Sequence, residues 1–249
     1  TYYNIHFCIS NNISSLPAGE VVASPRGLGT WTCGERLLDN RDNQSYATIQ
    51  IGSQCWMQEN LNIGQMVSST VEQINNSIIE KYCYNNDPLD CDNYSGGLYQ
   101  WYEAMNYNTS TSQGICPDGW HIPTSNDWSS LVSYLSSSSN PQYQCDGNST
   151  YIAKSLAATS GWYNHTGYCV VGNNQSANNA TGFNALPTGY LRLTEPRVFG
   201  LRTYHAMFWS STMNVADNPI RFYFYESSTN TNLSNITYLS DLSIRCLKN

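Results

Sequence analysis

The chain has 249 residues, of which only 12% are charged, and it carries a formal net charge of −7, nine cysteines and 19 tyrosines. That balance leaves no basic footprint for nucleic acid or anionic lipid and excludes both as partners. No stretch reaches the roughly 18–20 consecutive apolar residues of a membrane span, and no basic, apolar leader opens the chain, so Thr1 is expected to be a processed terminus.

In residues 1–30, Tyr3, Ile5, Phe7 and Ile9 alternate with Asn4, His6, Cys8 and Ser10, the period of a half-buried strand. The runs Leu16-Pro17-Ala18-Gly19 and Ser24-Pro25-Arg26-Gly27-Leu28-Gly29 then read as a turn-rich tether. The division is therefore a strand and tether over 1–30 and a domain over 31–249. Within the domain, Tyr46–Ile51 and Cys55–Met57 predict a hairpin about Gly52-Ser53. Leu98, Trp101, Tyr102 and Met105 predict a first helix by their spacing. A second helix starts at Thr124, with Asp127 at the third helical position of a capping-box-like start, buries Trp128, Leu131, Val132 and Leu135, and ends over Ser136–Asn140. A short helix is expected near Ile152–Ala158, a mobile polar loop over Asn173–Ala180, and strands at Phe208-Trp209, Arg221–Tyr225 and Leu242–Leu247.

Nine cysteines without CxxC-type ligand pairs indicate disulfides formed in an oxidising compartment, hence a secreted or cell-surface protein. Local spacing suggests Cys33 with Cys55, Cys83 with Cys91 and Cys145 with Cys169, and a bridge of Cys116 with Cys246, which bracket the second half of the chain, would tie its middle to its last residues. Cys8 is left over: it serves an intermolecular bridge, stays a buried free thiol, or pairs with Cys33 in an alternative scheme. Asn12, Asn43, Asn75, Asn93, Asn108, Asn148, Asn164, Asn174, Asn179, Asn232 and Asn235 each lie two residues before Ser or Thr. They are glycosylation acceptors in a host with the machinery, and accidents of a polar surface otherwise.

Catalytic residues are not assigned. His6, His121, His165 and His205 are isolated, no HExxH or GxSxG pattern occurs, and the disulfides occupy the thiols a cysteine nucleophile would need. His121 is expected to be a hydrogen-bonded core residue. Asp87, Asp90 and Asp92 in the Cys83–Cys91 loop offer hard oxygen ligands for a possible calcium ion, against the default of a solvated turn. Trp162, Tyr163 and Tyr168, in the middle insert beside His165, are expected to be an exposed sugar-stacking surface or else core, whereas Trp56, Trp101, Trp120, Trp128 and Trp209 are expected in the core.

Five blocks occur in the order of a known family. They are Ile51-Gly-Ser-Gln-Cys-Trp-Met-Gln-Glu-Asn-Leu61, Tyr82-Cys-Tyr-Asn-Asn-Asp-Pro88, Gly97-Leu-Tyr-Gln-Trp101, Cys116-Pro-Asp-Gly-Trp-His-Ile-Pro-Thr-Ser-Asn-Asp-Trp128, and Phe208-Trp-Ser-Ser-Thr212 with Ile244-Arg-Cys246. From Trp31 to Asn249 the chain resembles the FISUMP domain, a paralogous extracellular domain named after Fibrobacter. The resemblance implies an α+β, C-type-lectin-like architecture with two main helices and a twisted antiparallel sheet, here disulfide-rich and preceded by the N-terminal strand. Formylglycine-generating enzymes share a Pro-Thr-x-x-x-Trp block, but their reactive cysteine pair has no counterpart here. The leading expectation is a non-enzymatic structural subunit that polymerises head-to-tail with itself into a fibre through residues 1–10. The alternative is a lectin-like adhesin that binds surface glycans, and an enzyme ranks below both.

Overall fold

The computed structural model describes residues 31–192, 195–236 and 240–249. The expected assembly strand of Tyr3, Ile5, Phe7 and Ile9, the leftover Cys8 and the sequon at Asn12 lie outside the described residues.

Apolar runs in this chain are brief and interrupted by Asn, Gly and Ser, and the strands are correspondingly short. β1 (Leu37–Asp39) and β2 (Gln44–Tyr46) pair antiparallel, and β3 (Thr48–Ile51) and β4 (Gln54–Met57) form the hairpin expected from the sequence. Its turn uses Gly52 at φ +60°, where a Cβ would also meet the Tyr134 ring at 2.9 Å. β5 (Gln65–Met66) and β6 (Glu80–Lys81) pair in parallel. Then come the single helical turns α1 (Pro88–Asp90) and α2 (Trp101–Ala104), β7 (Trp120–His121), α3 (Ser125–Ser136) and α4 (Ala153–Leu156). β8 (Tyr190–Arg192), β9 (Val198–Gly200), β10 (His205–Met213), β11 (Pro219–Tyr225), β12 (Asn232–Asn235), β13 (Ser240–Asp241) and β14 (Leu247–Lys248) complete the chain. β14 inserts between β4 and β7, so the last residues are hydrogen-bonded beside the first hairpin in the order β3-β4-β14-β7. Two further sheets run β10-β11-β12 and β13-β8-β9. The result is a mixed, loop-rich fold with few helices, and Cys33–Asn249 forms one compact unit.

α3 supplies the centre of the core. Its Thr124 cap and Asp127 satisfy each other's backbone amides in a capping box, and Trp128, Leu131 and Leu135 face inward. The Trp128 ring stacks on Phe222 of β11 at 4.3 Å and lies 4.7 Å from Trp56 of β4, so one side chain joins two sheets. All five tryptophans expected in the core are buried.

Three sequence expectations are corrected. α2 is one turn and not a main helix, because Asn106 and Tyr107 adopt left-handed φ of 50° and 52° directly after it, and Leu98 instead bridges Tyr82. Of the expected strand Leu242–Leu247, only Leu247 lies in a ladder. The rest alternates its partners, with Ser243 accepting from Trp209, Ile244 from Leu61 and Cys246 from Met57. The Asn173–Ala180 loop is tied down by Lys154, whose Nζ donates to the Asn173 carbonyl at 2.5 Å and to Asn178 Oδ1 at 2.7 Å.

Four disulfides join Cys33 to Cys55, Cys83 to Cys91, Cys116 to Cys246 and Cys145 to Cys169, the connectivity expected from the sequence. Beside the Cys116 end, His121 is a packed, hydrogen-bonded residue. Its Nδ1 lies 2.6 Å from Asn249 Oδ1 and its Nε2 3.3 Å from Asp127 Oδ2. Burial alone lowers the His121 pKa, but the Asp127 and Asn249 contacts outweigh it and raise it above 6.5; burial raises Asp127, but the bonds from His121 and Thr124 outweigh it and hold it below 3.8. The imidazolium contribution is complete below the unfolded histidine value and disappears as pH rises through the folded one. The carboxylate contribution is present above the unfolded aspartate value and disappears as pH falls through the folded one. The pair's contribution to thermal stability is therefore expected to be greatest between about pH 4 and 6.5, with the decline above that window flattened in His121→Gln. An unaltered Tm profile in that variant would refute the assignment.

Candidate functional site

The segment Gln58-Glu59-Asn60-Leu61-Asn62, which leaves β4, organises one wall of a polar cavity. Asn60 and Asn62 are buried, at 7% and 5% exposure, and each bridges a buried cation to the turn Cys91–Ser95. Asn60 Oδ1 accepts from Arg245 Nη2 at 2.6 Å and from its Nε at 3.1 Å, while Asn60 Nδ2 donates to the Ser95 carbonyl at 2.9 Å. Asn62 Oδ1 accepts from Lys81 Nζ at 2.8 Å, and Asn62 Nδ2 donates to Asp92 Oδ1 at 3.1 Å. Sharing each amide between a cation and an acceptor uses both of its ends and fixes its orientation.

Arg245 is 1% exposed and has no carboxylate in contact. Its remaining hydrogen bonds go to the Met57 and Phe183 carbonyls, and the guanidinium lies over the Phe183 ring at 4.6 Å. Burial pulls its pKa down to about 9, with the Glu59 charge opposing, and it stays cationic at neutral pH. Burial likewise lowers Lys81, against the opposing charges of Asp92 and Asp42. The turn fits closely against this clamp. Gly96, at φ 67° and ψ −169°, passes Asn60 where a Cβ would meet the Asn60 Cβ at 2.8 Å.

The clamp positions one wall of a cavity of about 380 Å³, bounded by Gln58, Glu59, Asp92, Asn93, Tyr94 and Asn184. Arg36 stands at the same cavity, donating to Ser45 Oγ at 2.8 Å and pairing with Glu59 at 3.4 Å. Tyr94 is backed by the Arg202 guanidinium, 4.5 Å from its ring centre. Amides, two carboxylates, a guanidinium and a phenol converge here within a volume that suits a sugar unit.

The sequence-derived site residues are dispersed. Asp87 accepts from the Leu89 amide as the cap of α1, Asp90 forms an ion pair with Arg202, and Asp92 takes the Asn62 bond, so the three carboxylates do not converge. Among the described residues no group of three His, Cys, Asp or Glu side chains is placed to hold a metal ion. Trp162 is corrected: it is 5% exposed, stacks on Phe224 at 5.5 Å and donates from Nε1 to the Ala158 carbonyl. The insert's polar sequence concealed that β11 presents an aromatic face beneath it. Tyr163 and Tyr168 are exposed, at 53% and 71%, Tyr163 stacks on Tyr204 at 4.8 Å, and neither lines the cavity. The sequon asparagines Asn43, Asn75, Asn93, Asn108, Asn148, Asn164, Asn174 and Asn235 are exposed, and Asn179 and Asn232 half-buried.

Sequence reasoning missed Arg245, Lys81 and the amides between them. The signal was present as three amide residues around Glu59 in five positions, a density that a strand end alone does not require.

A family profile described as the Fibrobacter succinogenes major domain matches residues 49–248. No curated protein and no solved structure matches the chain.

Proposed function

The chain belongs to the Fibrobacter succinogenes major domain family, and from that membership we propose that it is a non-enzymatic extracellular binding module that holds a glycan in the cavity beside Glu59 and Asp92. The observation that carries this is the lining. Amide and carboxylate groups match sugar hydroxyls as donors and acceptors, and Tyr94 supplies an aromatic ring beside them. Four disulfides support a secreted or surface location, and no helix among the described residues is long and apolar enough to cross a membrane. A C-type-lectin-like frame belongs to the same proposal, supported by the pairing of the final strand with the first hairpin. No cofactor is required in this reading, and calcium at the Asp92 side is its testable variant.

A glycan array probed with the unreduced protein, expressed in a host that adds no N-linked glycans, with and without EDTA, is expected to give hits that Arg36→Ala and Asp92→Asn weaken at least tenfold, a loss of about 1.4 kcal/mol. Absence of hits, or hits indifferent to both variants, sinks the proposal. Release of new reducing ends from a bound glycan would replace it with an enzymatic one.

A second reading, a filament subunit that adds residues 1–10 to a neighbour, is supported by the apolar alternation of Tyr3, Ile5, Phe7 and Ile9. Negative-stain microscopy should then show fibres for the full chain and folded monomers after deletion of residues 1–10. Fibres surviving the deletion contradict it.

A further inference from the structure

Asn93 is exposed, borders the cavity, and begins the triplet Asn93-Tyr94-Ser95 in the middle of the turn Cys91–Ser95. One feature of this sequon fixes where a glycan on it would start, and a second sets it apart from the other sequons of the described residues. The turn is rigidly held, by the Cys83–Cys91 bridge at its start and by Asn60 and Asn62 at Ser95 and Asp92. Ser95, moreover, is fully buried, and its Oγ has no hydrogen-bond partner. An unpartnered buried hydroxyl is unfavourable by its desolvation, and alanine would serve the packing at least as well. No protein group in the fold uses the hydroxyl, whereas it is the third-position group that an Asn-x-Ser acceptor needs.

We propose that Asn93 carries an N-linked glycan that closes the mouth of the polar cavity, so that glycosylation controls access to it. This deepens the glycan-binding reading and rests on it only for what the cavity takes. In the modification, Asn93 Nδ2 displaces a polyprenyl phosphate leaving group from the anomeric carbon of a lipid-linked oligosaccharide. A C–N bond forms, the C–O bond to the carrier breaks, and the displaced amide proton passes to the released polyprenyl phosphate. The amide keeps its second N–H, so the 3.0 Å bond from Asn93 Nδ2 to the Leu89 carbonyl can persist and hold the linkage against the turn. The first sugar then starts at the cavity rim, where Asn93 already forms part of the lining.

The test uses the full chain purified from its own host, as wild type, Asn93→Gln and Ser95→Ala. Peptide mass spectrometry is expected to show a glycan increment on Asn93 in the wild type and none in either variant, with the Ser95→Ala Tm equal to or above that of a wild type freed of its glycan. Closure is read without any ligand from phenylglyoxal labelling of Arg36 at the cavity, expected to be several-fold faster in both variants than in the wild type. Binding of chitotriose and cellotriose is measured on the same samples. An unmodified Asn93 overturns the proposal, as does a glycosylated Asn93 with equal Arg36 labelling in all three proteins. Slow labelling in the wild type with neither trisaccharide bound by any sample leaves the closure standing and counts against the glycan-binding reading alone.

Discussion

Arg245→Ala is expected to destabilise the fold by about 3–5 kcal/mol, from about 1 kcal/mol or more for each buried acceptor left bare together with the void left by the side chain. Three acceptors lose their donor at once, Asn60 Oδ1 and the carbonyls of Met57 and Phe183, and a void opens under the Phe183 and Phe208 rings. Arg245→Met fills that void but leaves the acceptors bare, so it is expected to fall between wild type and alanine. The consequence reaches the cavity, because Asn60 with its carbonyl end released no longer holds Ser95. Urea denaturation gives the stability change, and hydrogen exchange over Cys91–Gly96 gives the local one. A wild-type midpoint for Arg245→Ala would mean that the guanidinium is not the tie between these segments.

Loss of the Cys116–Cys246 bridge in Cys116→Ser/Cys246→Ser is expected to lower stability by about 5 kcal/mol in the chain-entropy estimate, since the two residues lie 130 positions apart. Both cysteines are buried. β14 then depends on its ladders to β4 and β7 and on Arg245 to keep the last residues in the sheet. Removal of Cys83–Cys91, 8 positions apart, should cost less globally and act on the turn that walls the cavity. Equal unfolding midpoints for the two deletions would contradict this ordering.

Features governed by neighbours in sequence were legible, and of those governed by distant partners the Cys116–Cys246 bridge was legible while the non-covalent ones were not. The α3 start could be read from Thr124 and Asp127 because a capping box is complete within four residues. The β3–β4 turn could be read from Gly52 for the same reason. The clamp could not, since Arg245 and Asn60 are 185 positions apart and nothing in either neighbourhood marks a buried guanidinium. Trp162 failed in the opposite sense: a tryptophan in a polar insert resembles a surface ring until Phe224 is found against it. Asp87, Asp90 and Asp92 cluster in sequence, but the tight turns that follow Asp87 send them to Leu89, Arg202 and Asn62. The cavity is instead built on Gln58–Asn62, of which all but Asn62 lie in the block Ile51–Leu61 that the family resemblance had marked without assigning it a role.

The most direct measurement is amide chemical-shift mapping on the isotopically labelled, unreduced protein, titrated with the strongest glycan from the array. The binding account expects saturable shifts at Arg36, Gln58, Glu59, Asp92, Tyr94 and Asn184. Shifts confined to Tyr163, Tyr168 and Tyr204, or none at saturating glycan, would contradict it.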